Sequence, residues 1–235
     1  MKTRGLATDY DGTIASHGLV AASTSDALQQ FKESGRKLIL VTGRELSDLF
    51  NIFPQTRIFD RVVAENGAVL YQPETERVKV LAPSPPVQFL NCLRERGVRS
   101  LSIGQVIVAT QETYHGVVSR IIEELQLDLQ IILNKGAVMV LPREVDKATG
   151  LLAALEELGI APSDIVGVGD AENDHAFLRI CGCSAAVANA LPSLKDEVRI
   201  MTASNHGRGV EELIARILAS DLADLPAKFV QPEFL

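Results

Sequence analysis

The sequence predicts an α/β fold interrupted by a smaller α+β insertion. Short aliphatic or β-branched runs alternate with helix-length amphipathic segments, the pattern of parallel strands joined by helical crossovers. That rhythm breaks near Ala68 and resumes after Pro142. The strand-length runs close on polar residues, which places candidate ligand-binding side chains beyond the carboxyl ends of the strands.

Taken in order, Leu6 to Thr8 leads into a loop at Asp9. Ser23 or Ser25 is placed to cap a helix whose Ala27, Leu28 and Phe31 share one face and which Gly35 ends. Lys37 to Val41 reads as the second strand, Glu45 to Phe53 as a helix stopped by Pro54, and Arg61 to Ala64 as a third strand. Two short strands, Ala68 to Tyr71 and Arg77 to Leu81, then flank the turn-rich Gln72-Pro73-Glu74, a hairpin rather than a crossover. From here the chain is expected to leave the parallel sheet. Pro85-Pro86 opens a helix carrying Phe89, Leu90 and Leu93, followed by a strand at Val106 to Ala109 and a helix marked by Val117, Val118, Ile121, Ile122 and Leu125. Strands Leu129 to Leu133 and Ala137 to Leu141 surround Asn134-Lys135-Gly136. A helix from about Lys147 to Leu158, a strand at Ile165 to Val168, a helix opening at Asn173, a strand at Arg199 to Thr202 and a helix at Val210 to Leu218 complete the core. The expected division is a core of residues 1–70 and 143–220, an α+β insertion of 71–142, and a loose tail of 221–235.

With 46% hydrophobic and 23% charged residues in 235, the chain has the composition of a folded protein rather than a disordered one. Its net charge of −7 argues against a nucleic-acid partner, which calls for a basic surface. An anionic substrate must therefore be held by local charges. No apolar run approaches the roughly 20 residues that cross a bilayer and the first residues lack a signal-peptide pattern, so a cytoplasmic protein without membrane contact is expected. Cys92, Cys181 and Cys183 show no repeated spacing and read as packed thiols.

Asp9 and Asp11 lie two apart at a strand end, before Gly12-Thr13, where one carboxylate can attack while the other handles protons. Asp-x-Asp-Gly also begins EF-hand calcium loops, but the fifth and twelfth ligand positions here are Thr13 and Val20. Thr42-Gly43-Arg44 follows the second strand, offering a hydroxyl and backbone N–H groups to phosphoryl oxygens, although the same tripeptide is a common turn. Lys147 opens a helix after the insertion and can neutralise a phosphoryl group, or stand as a solvated surface lysine. Gly169-Asp170-Ala171-Glu172-Asn173-Asp174 adds two carboxylates suited to magnesium, with helix capping the other use of Asp174.

In this combination and order the residues resemble the haloacid dehalogenase superfamily, in its Cof-like, type IIB phosphatase branch, whose cap is inserted between the second and third motifs. The resemblance implies a Rossmann-like core and a Mg²⁺ ion held by Asp9, the backbone carbonyl of Asp11, and Asp170, with Asp174 supporting the site from beside it. It implies that Asp9 attacks phosphorus, that Asp11 acts as acid and then base, and that Thr42 and Lys147 hold phosphoryl oxygens. Asp11 separates phosphotransfer from dehalogenation, since the dehalogenase branch lacks the second acid. Gly43, Arg44, Asn66 and Asn173 are candidate substrate contacts, Asn66 within a Glu65-Asn66-Gly67-Ala68 segment that turn formation also explains. Ser184 to Ala190 departs from the family's usual Gly-rich stretch after the fourth motif, and His17, His115, His175 and His206 are scattered and read as surface or packing residues. The expected activity is Mg²⁺-dependent hydrolysis of a small phosphorylated metabolite, a sugar phosphate or a phosphoglycolate-like acid. A sugar phosphomutase on the same fold and a non-catalytic module for a phosphate ligand are the alternatives. Substrate choice falls to the cap, where Asn134, Lys135 and Arg143 are within reach of an anion but sit in or beside turns that favour a solvated role.

Overall fold

In the computed structural model, which describes residues 3–223, β1 (Gly5–Thr8) lies at the centre of the main sheet. The chain continues through a small hairpin of β2 (Ala15–Ser16) and β3 (Leu19–Val20), then α1 (Ala22–Glu33), β4 (Lys37–Val41), α2 (Leu46–Ile52) and β5 (Arg61–Ala64). Two antiparallel strands follow, β6 (Val69–Gln72) and β7 (Arg77–Val80). The insertion contains α3 (Val87–Glu95), β8 (Ser102–Ile103), β9 (Val108–Gln111), α4 (His115–Glu124), β10 (Leu129–Asn134) and β11 (Ala137–Pro142). The core resumes with α5 (Lys147–Leu158), β12 (Ile165–Gly169), α6 (His175–Ile180), β13 (Cys183–Ala186), α7 (Pro192–Lys195), β14 (Ile200–Met201) and α8 (His206–Ser220).

The main sheet runs β14-β13-β12-β1-β4-β5-β6-β7. Its first six strands are parallel, and β6 and β7 extend it antiparallel from β5. The parallel order ends at β5 as expected, but the hairpin assigned mostly to the insertion belongs to the main sheet. Val62 pairs with Tyr71 and Ala64 with Val69, so the hairpin caps the core's edge instead of opening the cap. A hairpin's sequence specifies its own turn but not which neighbouring strand it will join.

The second sheet, β10-β11-β9-β8, packs with α3 and α4 around Phe89, Leu93, Val118, Ile121 and Val138. Val106 and Ile107 from this insertion pack into the core's own apolar cluster, which ties the two parts together.

Other differences are local. Residue 21 is the N-cap of α1 and makes no side-chain cap; Ser23 lies inside the first turn and donates to Glu211 instead. The strand β13 overlaps the start of the Ser184 to Ala190 stretch, where small residues conceal strand character because they lack β-branched bulk. Helix α8 begins at His206, four residues before the expected Val210. Of the tail expected at 221–235, residues 224–235 lie outside the described residues. Cys92, Cys181 and Cys183 are free thiols, the latter two buried. Among the described residues no helix is long and apolar enough to cross a membrane.

Candidate active site

The predicted motifs converge because β12, β1, β4 and β5 are parallel neighbours, so their carboxyl ends open on one edge. Asp9 follows β1, Thr42 follows β4, Glu65 follows β5 and Asp170 follows β12. Lys147 arrives from the first turn of α5. There Asp146 accepts from the Thr149 N–H at 2.9 Å, and the Thr149 hydroxyl accepts from the Asp146 N–H at 3.0 Å. This capping box fixes where the helix starts and hence where the lysine points. A buried cation at a helix N-terminus is opposed by the helix dipole, so it needs carboxylates close by.

It has them. The Lys147 ammonium donates to Asp9 Oδ1 and to Asp174 Oδ1, both at 2.6 Å, with all three side chains buried. Burial works against its charge, but Asp174 and Asp9 outweigh that and hold it above the ordinary lysine value. Asp174 Oδ2 accepts from the N–H groups of Asp170 (2.7 Å) and Ala171 (3.0 Å). Asp174 is therefore engaged at both oxygens, Oδ1 by Lys147 and Oδ2 by the loop backbone. Burial first, then the charge of Asp174, pushes the Asp9 carboxyl up to about 7, with Lys147 pulling the other way. Asp170 is also raised, chiefly by burial.

Asp9, Asp170 and Asp174 bring carboxylate oxygens within 4.8 Å of one another, a hard-oxygen donor set that fits a magnesium ion. The cluster's net negative charge favours such an ion. Two oxygens at this end of the site are engaged by a residue whose role the sequence leaves open: Lys135 donates to Asp170 Oδ2 at 2.6 Å and to the Asp11 carbonyl at 2.9 Å.

Arg44 grips the Asp11 carboxylate through two hydrogen bonds, Nε to Oδ2 at 2.5 Å and Nη2 to Oδ1 at 2.8 Å, and also bonds Asp48. The Thr42 hydroxyl accepts from the Arg44 N–H at 3.1 Å, shaping the turn that aims the guanidinium. A cavity of about 100 Å³ lies among Asp9, Asp11, Gly43, Arg44, Asn134, Met139, Asp170, Ala171 and Asn173. Thr42, Asn66, Lys147 and Asp174 are buried and do not line it.

Asn66 differs most from its expected place. Its Oδ1 accepts from Asn173 Nδ2 at 2.9 Å, so the two candidate substrate amides bind each other. The segment around it is a joint rather than a plain turn. Glu65 accepts from the N–H groups of Gln105 (2.9 Å), Val106 (2.8 Å) and Ile107 (2.9 Å) in the insertion. Gly67, at φ +110°, passes so close to Asp146 that a Cβ there would lie 1.8 Å from its carbonyl oxygen.

Sequence reasoning also misses the hold on the Asp9 loop. The Gly12 carbonyl accepts from Asn189 Nδ2 at 2.8 Å and lies 2.9 Å from His206 Nδ1; since a carbonyl can only accept, Nδ1 carries the hydrogen. His206 in turn donates its N–H to Asn189 Oδ1 at 2.7 Å. No local signal in the sequence connects residues so far apart.

The chain matches the haloacid dehalogenase-like hydrolase family over residues 6–113 and 103–214. It belongs to that family. Two curated relatives match nearly end to end. Phosphoglycolate phosphatase 2 of Saccharolobus solfataricus is 27% identical over 92% of this chain and 93% of its own. Phosphoglycolate phosphatase of Methanothermobacter thermautotrophicus is 29% identical over 92% and 99%. Among solved structures, a haloacid dehalogenase subclass IIB sugar phosphatase superposes with a TM-score of 0.74 at 18% identity, covering 92% of this chain and 99% of that one. The family member described here is a hydrolase of the phosphatase branch.

Proposed function

We propose that this hydrolase is a Mg²⁺-dependent phosphomonoesterase that acts on a small phosphorylated acid or sugar through an aspartyl-phosphate at Asp9. The observation that carries the reading is the Asp9 carboxylate itself. Its Oδ1 is fixed by Lys147 at 2.6 Å, while the residue borders the cavity and Oδ2 takes no hydrogen bond among the described residues. One oxygen is anchored and the other is left to attack.

In this reading Oδ2 of Asp9 bonds to phosphorus as the ester oxygen departs, and Asp11 gives that oxygen its proton. Asp11 then takes a proton from water, which attacks phosphorus and releases phosphate from Asp9. Arg44 holds both oxygens of Asp11, so one must be freed before that carboxyl donates a proton. Arg44 thereby positions the acid as well as bordering the leaving group. Mg²⁺, held by Asp9, the Asp11 carbonyl and Asp170, would supply positive charge for the phosphoryl oxygens. Lys147, through its bond to Asp9, and the Gly43 backbone at the cavity wall would supply the rest.

The cavity, at about 100 Å³, is small beside the roughly 300–1,000 Å³ of pockets for drug-sized ligands, which favours leaving groups of a few carbons. Among the named relatives' substrates, phosphoglycolate fits that size. The test is phosphate release from a panel that runs from phosphoglycolate to hexose phosphates, with Mg²⁺ or with EDTA. Release confined to the Mg²⁺ arm and abolished in Asp9→Asn is expected. A panel without turnover, or an Asp9→Asn variant as active as the parent, would overturn the proposal.

A further inference from the structure

The tip of the β10–β11 hairpin is only two residues long. Lys135 (φ +46°) and Gly136 (φ +84°) both take left-handed backbone between the paired residues Asn134 and Ala137. Such a tight turn follows the sheet's own twist and fixes where the lysine starts. From there the side chain, about two-fifths exposed, reaches out of the insertion to Asp170 and the Asp11 carbonyl. Residues on either side of the tip, Asn134 and Met139, border the cavity. The hairpin therefore roofs the space where a leaving group would sit.

The oxygens that Lys135 holds are two of those assigned above to the divalent cation. An ammonium and a metal ion compete for them, because like charges at that separation repel. When the cation takes them, Lys135 must release them while its backbone keeps it over the site. The cluster's other carboxylates already have partners: Asp11 is gripped by Arg44, and Asp9 and Asp174 by Lys147. A displaced ammonium there has Glu112 beside the tip, its Oε2 3.9 Å from where a Cβ on Gly136 would lie, and a carboxylate on the leaving group is the anion the cavity can bring in competition with it.

We propose that Lys135 is a specificity-determining residue of the cap: it yields Asp170 and the Asp11 carbonyl to the divalent cation and then binds a carboxylate on the substrate's leaving group. The inference rests on the phosphatase reading and narrows its substrate class to phosphate esters of small hydroxy acids. It makes metal binding and substrate choice depend on one side chain.

Two measurements on the full chain test it, using Lys135→Met and Lys135→Arg, with far-UV circular dichroism confirming the fold of each. Mn²⁺ titration followed by electron paramagnetic resonance, without substrate, is expected to show at least threefold tighter binding to Lys135→Met than to the parent. Steady-state kinetics with Mg²⁺ then compare phosphoglycolate with ethyl phosphate, whose leaving group is similar in size but carries no charge. The ratio of the two kcat/KM values is expected to fall at least tenfold in Lys135→Met and to be partly retained in Lys135→Arg. Unchanged Mn²⁺ affinity, or an unchanged ratio, overturns the inference and leaves the phosphatase reading standing. A parent chain that hydrolyses neither these esters nor the wider panel removes that reading, and the inference with it.

Discussion

Replacing Glu65 by alanine removes the acceptor for three backbone N–H groups of the insertion at once. Gln105 is exposed and water can replace its lost bond, whereas Val106 and Ile107 are buried. Two donors are thus left in the interior, at about 1–3 kcal/mol each, so the expected loss is about 2–6 kcal/mol. Glu65→Gln keeps one acceptor oxygen but turns an amide NH₂ toward N–H donors, for a loss of about 1–3 kcal/mol. The chain has no tryptophan, so urea unfolding is best followed by far-UV circular dichroism. Hydrogen exchange should localise the damage, with peptides spanning 104–107 losing protection ahead of β1 and β12. The cap would then be loosened where it joins the core, and turnover should fall with it. An alanine variant within about 0.5 kcal/mol of the parent, with unaltered protection at 104–107, would refute the claim that Glu65 fastens the insertion.

Lys147→Met leaves Asp9 and Asp174 buried without their shared cation. A stability loss of about 3–5 kcal/mol is expected in EDTA, partly recovered by Mg²⁺, as read by urea midpoints. Phosphate release should also fall by roughly 10²–10³-fold, as when one charge-stabilising donor is removed. Gly67→Ala must push the Asp146 carbonyl away from a Cβ at 1.8 Å while also straining a φ of +110°; a thermal melt should show severe destabilisation or no folded protein. The Asp9 carboxyl, raised from 3.8 to about 7, makes the folded chain the better proton binder between those values. Its contribution is therefore fully present below about pH 4 and is lost as pH rises through about 7. Mg²⁺, which needs the ionised form, should stabilise more at pH 7.5 than at pH 5. Equal shifts of Tm at both pH values would contradict this, and Asp9→Asn should flatten the difference.

Much of the site is legible in the amino-acid sequence. Asp9, Thr42, Lys147 and Asp170 each follow a strand or open a helix at a position that local pattern marks, and parallel strands bring such ends together. The same local reading fails where partners are distant or bulk is absent. The β6–β7 hairpin looks like the start of the cap because its turn is local and its attachment to β5 is not. Strand β13, with Ser184-Ala185-Ala186, lacks the large side chains that signal a strand, and Asn66, which reads as facing substrate, bonds Asn173.

Strand ends, glycine turns and helix starts are written in short stretches of chain. The class of fold and the order of the chemical groups along it therefore follow from the sequence alone. Which charges face one another is a matter of tertiary structure. Lys147 is shared between Asp9 and Asp174, Arg44 is turned to Asp11, Glu65 is spent on the cap, and Lys135 is set on oxygens suited to a metal. Those pairings depend on how crossovers and a two-residue hairpin tip place residues 27 to 138 positions apart within 3 Å, and short-range chain propensities carry no record of such distances.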